Sequence, residues 1–295
     1  MSSQNDPAAS PVDVTPSVLR EWPLPTPEGS KYSRGQVVVV GGSTRTPGAI
    51  MLSAIAALRM GAGRLGVAVD ETIAAGLAIA MPECGVIPLP LSDAAPLAAA
   101  ASELASADAV LLGPGLDDAE LTERMLRDLP ALVSADAVVI LDAFALGVAS
   151  RVPALAETLG GRLVLTPNLG EASRLLERVA EGDILADEAA DAALQISRRY
   201  NAVVSCTGTV TAPDGRSWRI GTGAVGLGTS GSGDVLAGAI AGLAARGADP
   251  SRAAVWGTHA HAAAGDRLAV AVGPLGYLAS ELLPELPRVL VEIGV

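Results

Sequence analysis

The chain has 295 residues, of which half are hydrophobic and only 2% aromatic, and it carries a net charge of -12. That length suits one large α/β domain or two small ones, with a core of Ala, Val, Leu and Gly that has to be extensive and closely packed. The charge argues against nucleic acid and anionic membranes as partners, but not against a phosphate ligand, which backbone amides and helix ends bind without lysine. The two cysteines, Cys84 and Cys206, sit in apolar stretches and read as reduced core residues rather than a disulfide framework or metal motif. No apolar run reaches the roughly 18 residues of a membrane span. The N-terminus lacks the basic region and apolar block of a leader, so the expected location is the cytoplasm.

Residues 1–30 are rich in Pro, Ser and Asp and read as a flexible tail, followed by a short element packing Trp22. Four consecutive valines from Val37 predict a strand buried on both faces, the mark of a parallel sheet covered by helices. It ends in Gly41-Gly42, at the edge where open α/β sheets bind ligands. Pro47 starts a helix that Gly61 stops. Strands follow at 64–69, 84–89, 107–112, 137–141, 162–166 and 202–206, and the intervening helices are expected at 72–80, 97–104, 121–129, 169–179 and 187–200. Several strand ends carry turn chemistry: Gly113-Pro-Gly115, Asp142, and Pro167-Asn168. Residues 207–220 read as a β-hairpin turning at Pro213-Asp-Gly-Arg216. Two helices close the chain, at 252–270 and 275–290, the second broken by Pro284 and Pro287. The alternation predicts one doubly wound, mostly parallel sheet with helices on both faces, occupying 31–295 as a single domain.

The stretch from Gly226 to Asp234, GLGTSGSGD, carries the chemistry. Its glycines precede an apolar helical run from Val235 to Ala245, with small residues that let another element approach closely. Exposed amides at a helix start favour an anion. Asp234 then has two readings. It is the base that takes a proton from a hydroxyl attacking the bound phosphate, or it is the helix N-cap. The absence of Gly-Lys-Ser/Thr excludes a Walker A loop. His259 and His261, two apart on one helix, point in different directions and make no metal pair. Asp117-Asp118 reads as a helix start, and Arg198-Arg199 as a solvated face.

Taken together, Val40-Gly-Gly-Ser43 with Gly48-Ala49, Met81-Pro-Glu83, Leu112-Gly-Pro-Gly-Leu116, Leu141-Asp-Ala143, Leu165-Thr-Pro167 with Gly170-Glu-Ala172, and Gly228 to Gly238 resemble the ADP/ATP-dependent NAD(P)H-hydrate dehydratase family. This family lies within the ribokinase-like superfamily, and the resemblance covers residues 31–290. It implies a three-layer α/β/α fold and a repair reaction in which a nucleotide phosphate activates the hydroxyl of hydrated NADH or NADPH. On that resemblance Asp234 is the base, and the amides of Gly231, Ser232 and Gly233 form the anion hole. Ala49, Gly115, Asn168 and Asp234 contact the hydrate. Thr207, Gly208, Thr209 and Gly233 hold the nucleotide. The implied cofactors are ADP or ATP with Mg²⁺, Glu171 serving the metal indirectly, and the implied assembly is a homo-oligomer.

The chain departs from the family pattern at named positions. Asn168 replaces the usual histidine, Phe144 an aspartate, and Ser205-Cys-Thr-Gly208 stands where Lys-Gly opens the nucleotide segment. Asn168-Leu-Gly-Glu171 also has the Asn-x-x-Glu form of vitamin and sugar kinases of the same superfamily, and equally the form of a helix capping box. A small-molecule kinase is therefore the second reading, and a nucleotide-binding relative without catalysis the third.

Overall fold

Val37, Val38, Val39 and Val40 are fully buried in β2 (Gln36–Val40), and their side chains alternate between two cores. Val37 and Val39 join one hydrophobic cluster, Val38 and Val40 the other, as the two-residue period of a strand requires. The computed structural model describes residues 10–26, 29–178 and 184–295. Around β2 it builds one ten-stranded sheet from β1 (Val12–Val14), β3 (Arg64–Asp70), β4 (Gly85–Leu89), β5 (Ala109–Leu112), β6 (Val138–Leu141), β7 (Leu163–Leu165), β8 (Val203–Cys206), β9 (Thr209–Thr211) and β10 (Ser217–Ile220). The order is β1-β10-β9-β8-β7-β6-β5-β2-β3-β4. Only β9 runs antiparallel to its neighbours.

One face is covered by α1 (Pro16–Glu21), α2 (Pro47–Arg59), α3 (Glu71–Ala80), α10 (Ser232–Ala245), α11 (Pro250–Ala271) and α12 (Ala279–Ile293). The other is covered by α4 (Ala101–Ser106), α5 (Ala119–Leu132), α6 (Phe144–Ala149), α7 (Leu155–Thr158), α8 (Leu169–Leu175) and α9 (Ala189–Tyr200). This is the three-layer, doubly wound α/β/α architecture. The chain builds outward from β2 through β3 to β4, then returns to the other side of β2 with β5, β6, β7 and β8. The reversal makes a crevice beyond the carboxyl ends of β2 and β5, where ligands of such sheets bind.

The sheet differs from the sequence expectation at its edges. Val12–Val14, expected within a tail, pairs in parallel with β10. Trp22 stacks on Trp218 with ring centroids 5.5 Å apart, and its carbonyl accepts the Trp256 indole N–H at 2.9 Å. A stretch poor in apolar pattern is thus ordered by an edge strand and one aromatic pair. Residues 1–9 and Val179, the expected end of α8, lie outside the described residues. The hairpin turn at 213–216 is present, but Thr207 and Gly208 are themselves a tight turn between β8 and β9. Pro284 and Pro287 do not break α12. Pro284 is exposed and Pro287 half-buried, while Leu282, Leu283, Leu286, Val289 and Leu290 are buried on the opposite face. Packing of that face outweighs two missing backbone donors on the solvent side. Among the described residues, no helix is long and apolar enough to cross a membrane.

The small residues of α10 do what their spacing suggests. A Cβ added at Gly238 would lie 2.0 Å from the Ser53 carbonyl oxygen of α2, and one at Gly242 would lie 2.4 Å from that of Ala57. We therefore expect Gly238→Ala to destabilise the fold by about 1–3 kcal/mol or more, through overpacking against rigid backbone. Gly76→Ala in α3, where an added Cβ meets nothing within 4 Å, should be neutral or stabilising by up to about 1 kcal/mol. Urea unfolding midpoints of the two variants check this.

Candidate active site

The crevice is shaped first by backbone. An added Cβ at Gly41, just past β2, would stand 2.1 Å from the Pro114 carbonyl oxygen, and the Gly42 N–H donates to that oxygen at 2.8 Å. Gly115 has φ +73, and an added Cβ there would meet the Thr46 carbonyl at 2.5 Å and the Ala49 Cβ at 3.3 Å. The Thr46 hydroxyl donates to the Gly115 carbonyl at 2.9 Å. The loops after β2 and β5 are thereby locked together, which places Ala49 and Gly115 side by side on one wall of a cavity of about 720 Å³.

Asp234 lines the same cavity, with Ser230 and Glu171. It is not the N-cap of α10. That helix starts earlier than expected: Gly231, at φ 88, is the cap, and Asp234 occupies the first turn without a capping bond. Of the three amides assigned to an anion hole, Ser232 N–H donates to the Thr229 carbonyl at 3.2 Å. The amides of Gly231, Gly233 and Asp234 donate to nothing among the described residues. An added Cβ at Gly233 meets nothing within 4 Å. The open donors of a helix start thus face free space beside a carboxylate.

Ser232 has another task. Its Oγ lies 2.9 Å from His261 Nε2, and both side chains are buried. Burial depresses the His261 pKa to about 4, so the ring is neutral and fixes the first residue of α10 through one hydrogen bond. His259 faces elsewhere, and the two histidines share no partner.

Three carboxyl groups converge at the strand ends. Burial, then the charge of Glu171, raises the Asp234 pKa to about 6. Burial also raises Glu171, against the pull of the Asn168 N–H and the Arg174 charge. Asp142, after β6, is buried and held well above the usual carboxylate range by desolvation, although the Thr166 hydroxyl donates to it at 2.6 Å. Asn168 caps α8 in a complete capping box: its Oδ1 accepts the Glu171 N–H, and Glu171 Oε2 accepts the Asn168 N–H, each at 2.9 Å. Among the described residues, no group of three or more His, Cys, Asp or Glu side chains is placed to hold a metal ion directly.

Ala49, Gly115, Glu171 and Asp234 are therefore brought together, with Asn168 at the exposed start of α8. Thr207, Gly208 and Thr209 stand apart, at the end of β8, and do not line this cavity. Thr207 and Gly208 have φ 42 and 79, a strained geometry for threonine. Nearby, Asp266 of α11 accepts the Gly223 N–H at 3.1 Å and the Thr222 hydroxyl. Sequence reasoning missed the Ser232–His261 pair, whose signal was a lone polar residue on a small-residue helix. It also missed Arg151 and Arg174, two cations lining the cavity.

A family model described as NAD(P)H-hydrate dehydratase matches residues 37–288. The ADP-dependent (S)-NAD(P)H-hydrate dehydratase of Xanthomonas campestris is 43% identical over 94% of this chain and 95% of that protein. The bifunctional NAD(P)H-hydrate repair enzyme Nnr of Salinibacter ruber is 37% identical over 95% of this chain, which spans 53% of that longer relative. Among solved structures, a ribokinase-like superfamily protein from Enterococcus faecalis superposes with a TM-score of 0.79 at 24% identity, covering 99% of both chains. The ADP/ATP-dependent NAD(P)H-hydrate dehydratase from Bacillus subtilis, co-crystallised with ATP/Mg²⁺, gives a TM-score of 0.74 at 24% identity over 97% of this chain and 100% of that one. At these identities the structural matches establish the fold.

The open space at Gly233 allows a test of the anion site. Gly233→Ala should keep or slightly raise stability, because alanine favours a helix. It should weaken binding of a nucleotide phosphate about tenfold or more, because the methyl enters the anion's space. Gly231→Ala should instead unfold more readily, since it combines a left-handed φ with an added Cβ 2.5 Å from Leu52 Cδ1. Calorimetric titration with ADP and thermal melts separate the two outcomes.

Proposed function

The chain belongs to the NAD(P)H-hydrate dehydratase family, and from that premise we propose that it restores hydrated NADH or NADPH by ADP- or ATP-dependent dehydration. One observation carries the reading. A carboxylate raised to about 6 stands beside free helix-start amides, in the cavity that also holds Ala49 and Gly115.

The chemistry follows from those groups. The Asp234 carboxylate accepts the proton of the ring hydroxyl as that oxygen bonds to the terminal phosphorus of the nucleotide. The bond from phosphorus to its bridging oxygen breaks, and the shortened nucleotide leaves. The amides of Gly231 and Gly233 and the N–H of Asp234 itself stabilise charge on the transferring group, in place of the originally assigned Ser232 amide. Cleavage of the ester C–O bond then releases phosphate with the bonding electron pair, the neighbouring ring carbon gives its proton to that phosphate, and the ring double bond returns. Ala49 and Gly115 are the wall against which the ring lies; their lack of bulk makes room for it. Asn168, whose side-chain NH₂ makes no hydrogen bond among the described residues, would reach the hydrate where relatives of the family use histidine. Thr207, Gly208 and Thr209 hold the nucleotide from the β8 side.

Mg²⁺ fits this donor set as a companion of the nucleotide, not as a protein-caged ion. Bound, it would neutralise phosphate charge. Glu171 would hold it through water: one carboxylate oxygen serves the capping box, and the other makes no hydrogen bond among the described residues. A cation there would also favour the ionised form of a carboxyl that burial otherwise raises. The capping box accounts for the Asn-x-x-Glu pattern structurally, and it leaves a role for Glu171 toward the metal compatible with it. Residues 31–295 act as one catalytic unit on this reading. Cytoplasmic location belongs to the same proposal, supported by the two free cysteines and by the nature of the substrate. So does self-association, supported by the exposed Val270, Val272, Leu275 and Leu278.

Asp234→Asn tests the reading. Its turnover should fall about 10²–10⁴-fold, with nucleotide affinity unchanged or tighter. Near-normal turnover would remove Asp234 from the mechanism. The pH dependence has a defined sign: the base works ionised, so kcat/KM should rise with pH, level above about 6, and fall below it. Stability runs the other way. The folded-state pKa lies above the unfolded value of about 4, so the wild type loses stability as pH rises from there to about 6. Asp234→Asn should accordingly melt no lower than wild type at pH 8, and higher if the burial cost dominates.

A further inference from the structure

We propose that Arg174, assisted by Arg151, binds the diphosphate bridge of the dinucleotide hydrate and so sets the preference for a whole dinucleotide; this rests on the dehydratase reading. The cavity is walled by the loops after β2, β5, β6 and β7, with Asp234 and Ser230 at one end. Thr207, Gly208 and Thr209, the expected nucleotide segment after β8, do not line it. A nucleotide approaching from the β8 side and a hydrate in the cavity therefore meet at Asp234, and the rest of the hydrate extends between α6 and α8.

That is where the two arginines stand. In a chain with 20 basic and 32 acidic residues, both cationic side chains that line the cavity are arginines, and Gly147 lines it with them. Arg174 is exposed and makes no ion pair among the described residues; its Cδ lies 3.9 Å from where a Gly147 Cβ would be. Arg151 is half-exposed, and its one carboxylate contact, to Glu123, is a loose 3.9 Å. Apart from its longer-range pull on Glu171, the Arg174 guanidinium is uncommitted among the described residues, and it lines the cavity that holds Asp234, open to an anionic ligand. A diphosphate supplies two anionic groups whose paired oxygens suit the planar fork of arginine. The absence of a side chain at Gly147 leaves the path between α6 and α8 open.

The experiment is steady-state kinetics on the full chain, varying hydrated NADH and ADP separately. Arg174→Met should raise the KM for the hydrate about 10–100-fold, with kcat and the KM for ADP within about twofold and an unchanged melting temperature. Arg174→Lys should recover part of the loss. Arg151→Ala, at an exposed position that tolerates truncation, should raise the hydrate KM by a smaller factor of about 3, and keeps the test open if Arg174→Met folds poorly. An unchanged hydrate KM in both variants overturns the proposal. So does a rise in the KM for ADP instead, which would assign Arg174 to the nucleotide's own phosphates. Either result, with Asp234→Asn still inactive, leaves the dehydratase reading intact; loss of that reading would show in Asp234→Asn alone.

Discussion

The contact of α10 with α2 through bare backbone is the constraint on which the site depends. Carbonyl oxygens of Ser53 and Ala57 occupy the space that side chains at Gly238 and Gly242 would fill. Because α2 follows β2 directly, this contact ties the axis of α10 to the centre of the sheet. The start of α10 is then fixed beyond the carboxyl ends of β2 and β5. Two further locks hold it: the left-handed Gly231 against Leu52, and the buried hydrogen bond from Ser232 to His261. A helix start held this rigidly presents its unbonded amides without reorganisation when charge develops, which is what makes such donors effective.

The same geometry creates a conflict that the fold tolerates. Asp234, Glu171 and Asp142 all have raised pKa values, each first through burial. Crowded, half-dry carboxyl groups cost stability at neutral pH, and Asp234, unlike Glu171 and Asp142, has no structural bond that requires it. Asp234 makes no capping bond in α10. On the proposed reading such a group is retained for its chemistry, since a base near neutrality has to be drier and less well paired than a structural carboxylate. Glu171 differs: it is partly structural, holding the start of α8 through the Asn168 box, and partly electrostatic, acting on Asp234.

Much of this was legible in the sequence, and the reason is periodicity. The valine run, the βα alternation and the glycine-rich strand ends fixed the architecture and the edge that carries the site. Asp117-Asp118 as the start of α5 and Arg198-Arg199 as a solvated face matched their simple readings. What was not legible depended on long-range contact. The pairing of β1 with β10 joins residues about two hundred positions apart and leaves no local pattern. The continuity of α12 through two prolines is decided by the partners of its buried face. The use of the Ser232 amide within its own turn depends on where α10 begins, and a run of Gly and Ser has no periodicity to mark that point. Arg174 is a helical surface arginine in the sequence and in the structure, and only the fold sets it beside the cavity, opposite Gly147.

The central claim is that the phosphate bound at the start of α10 is spent on dehydration. Phosphate accounting on purified protein with hydrated NADH and ADP tests this most directly, following the reduced-nicotinamide absorbance and inorganic phosphate together. The account predicts one phosphate released for each ring restored, and no restoration without nucleotide. A stable phosphorylated product, or nucleotide binding with no restored absorbance, would contradict it.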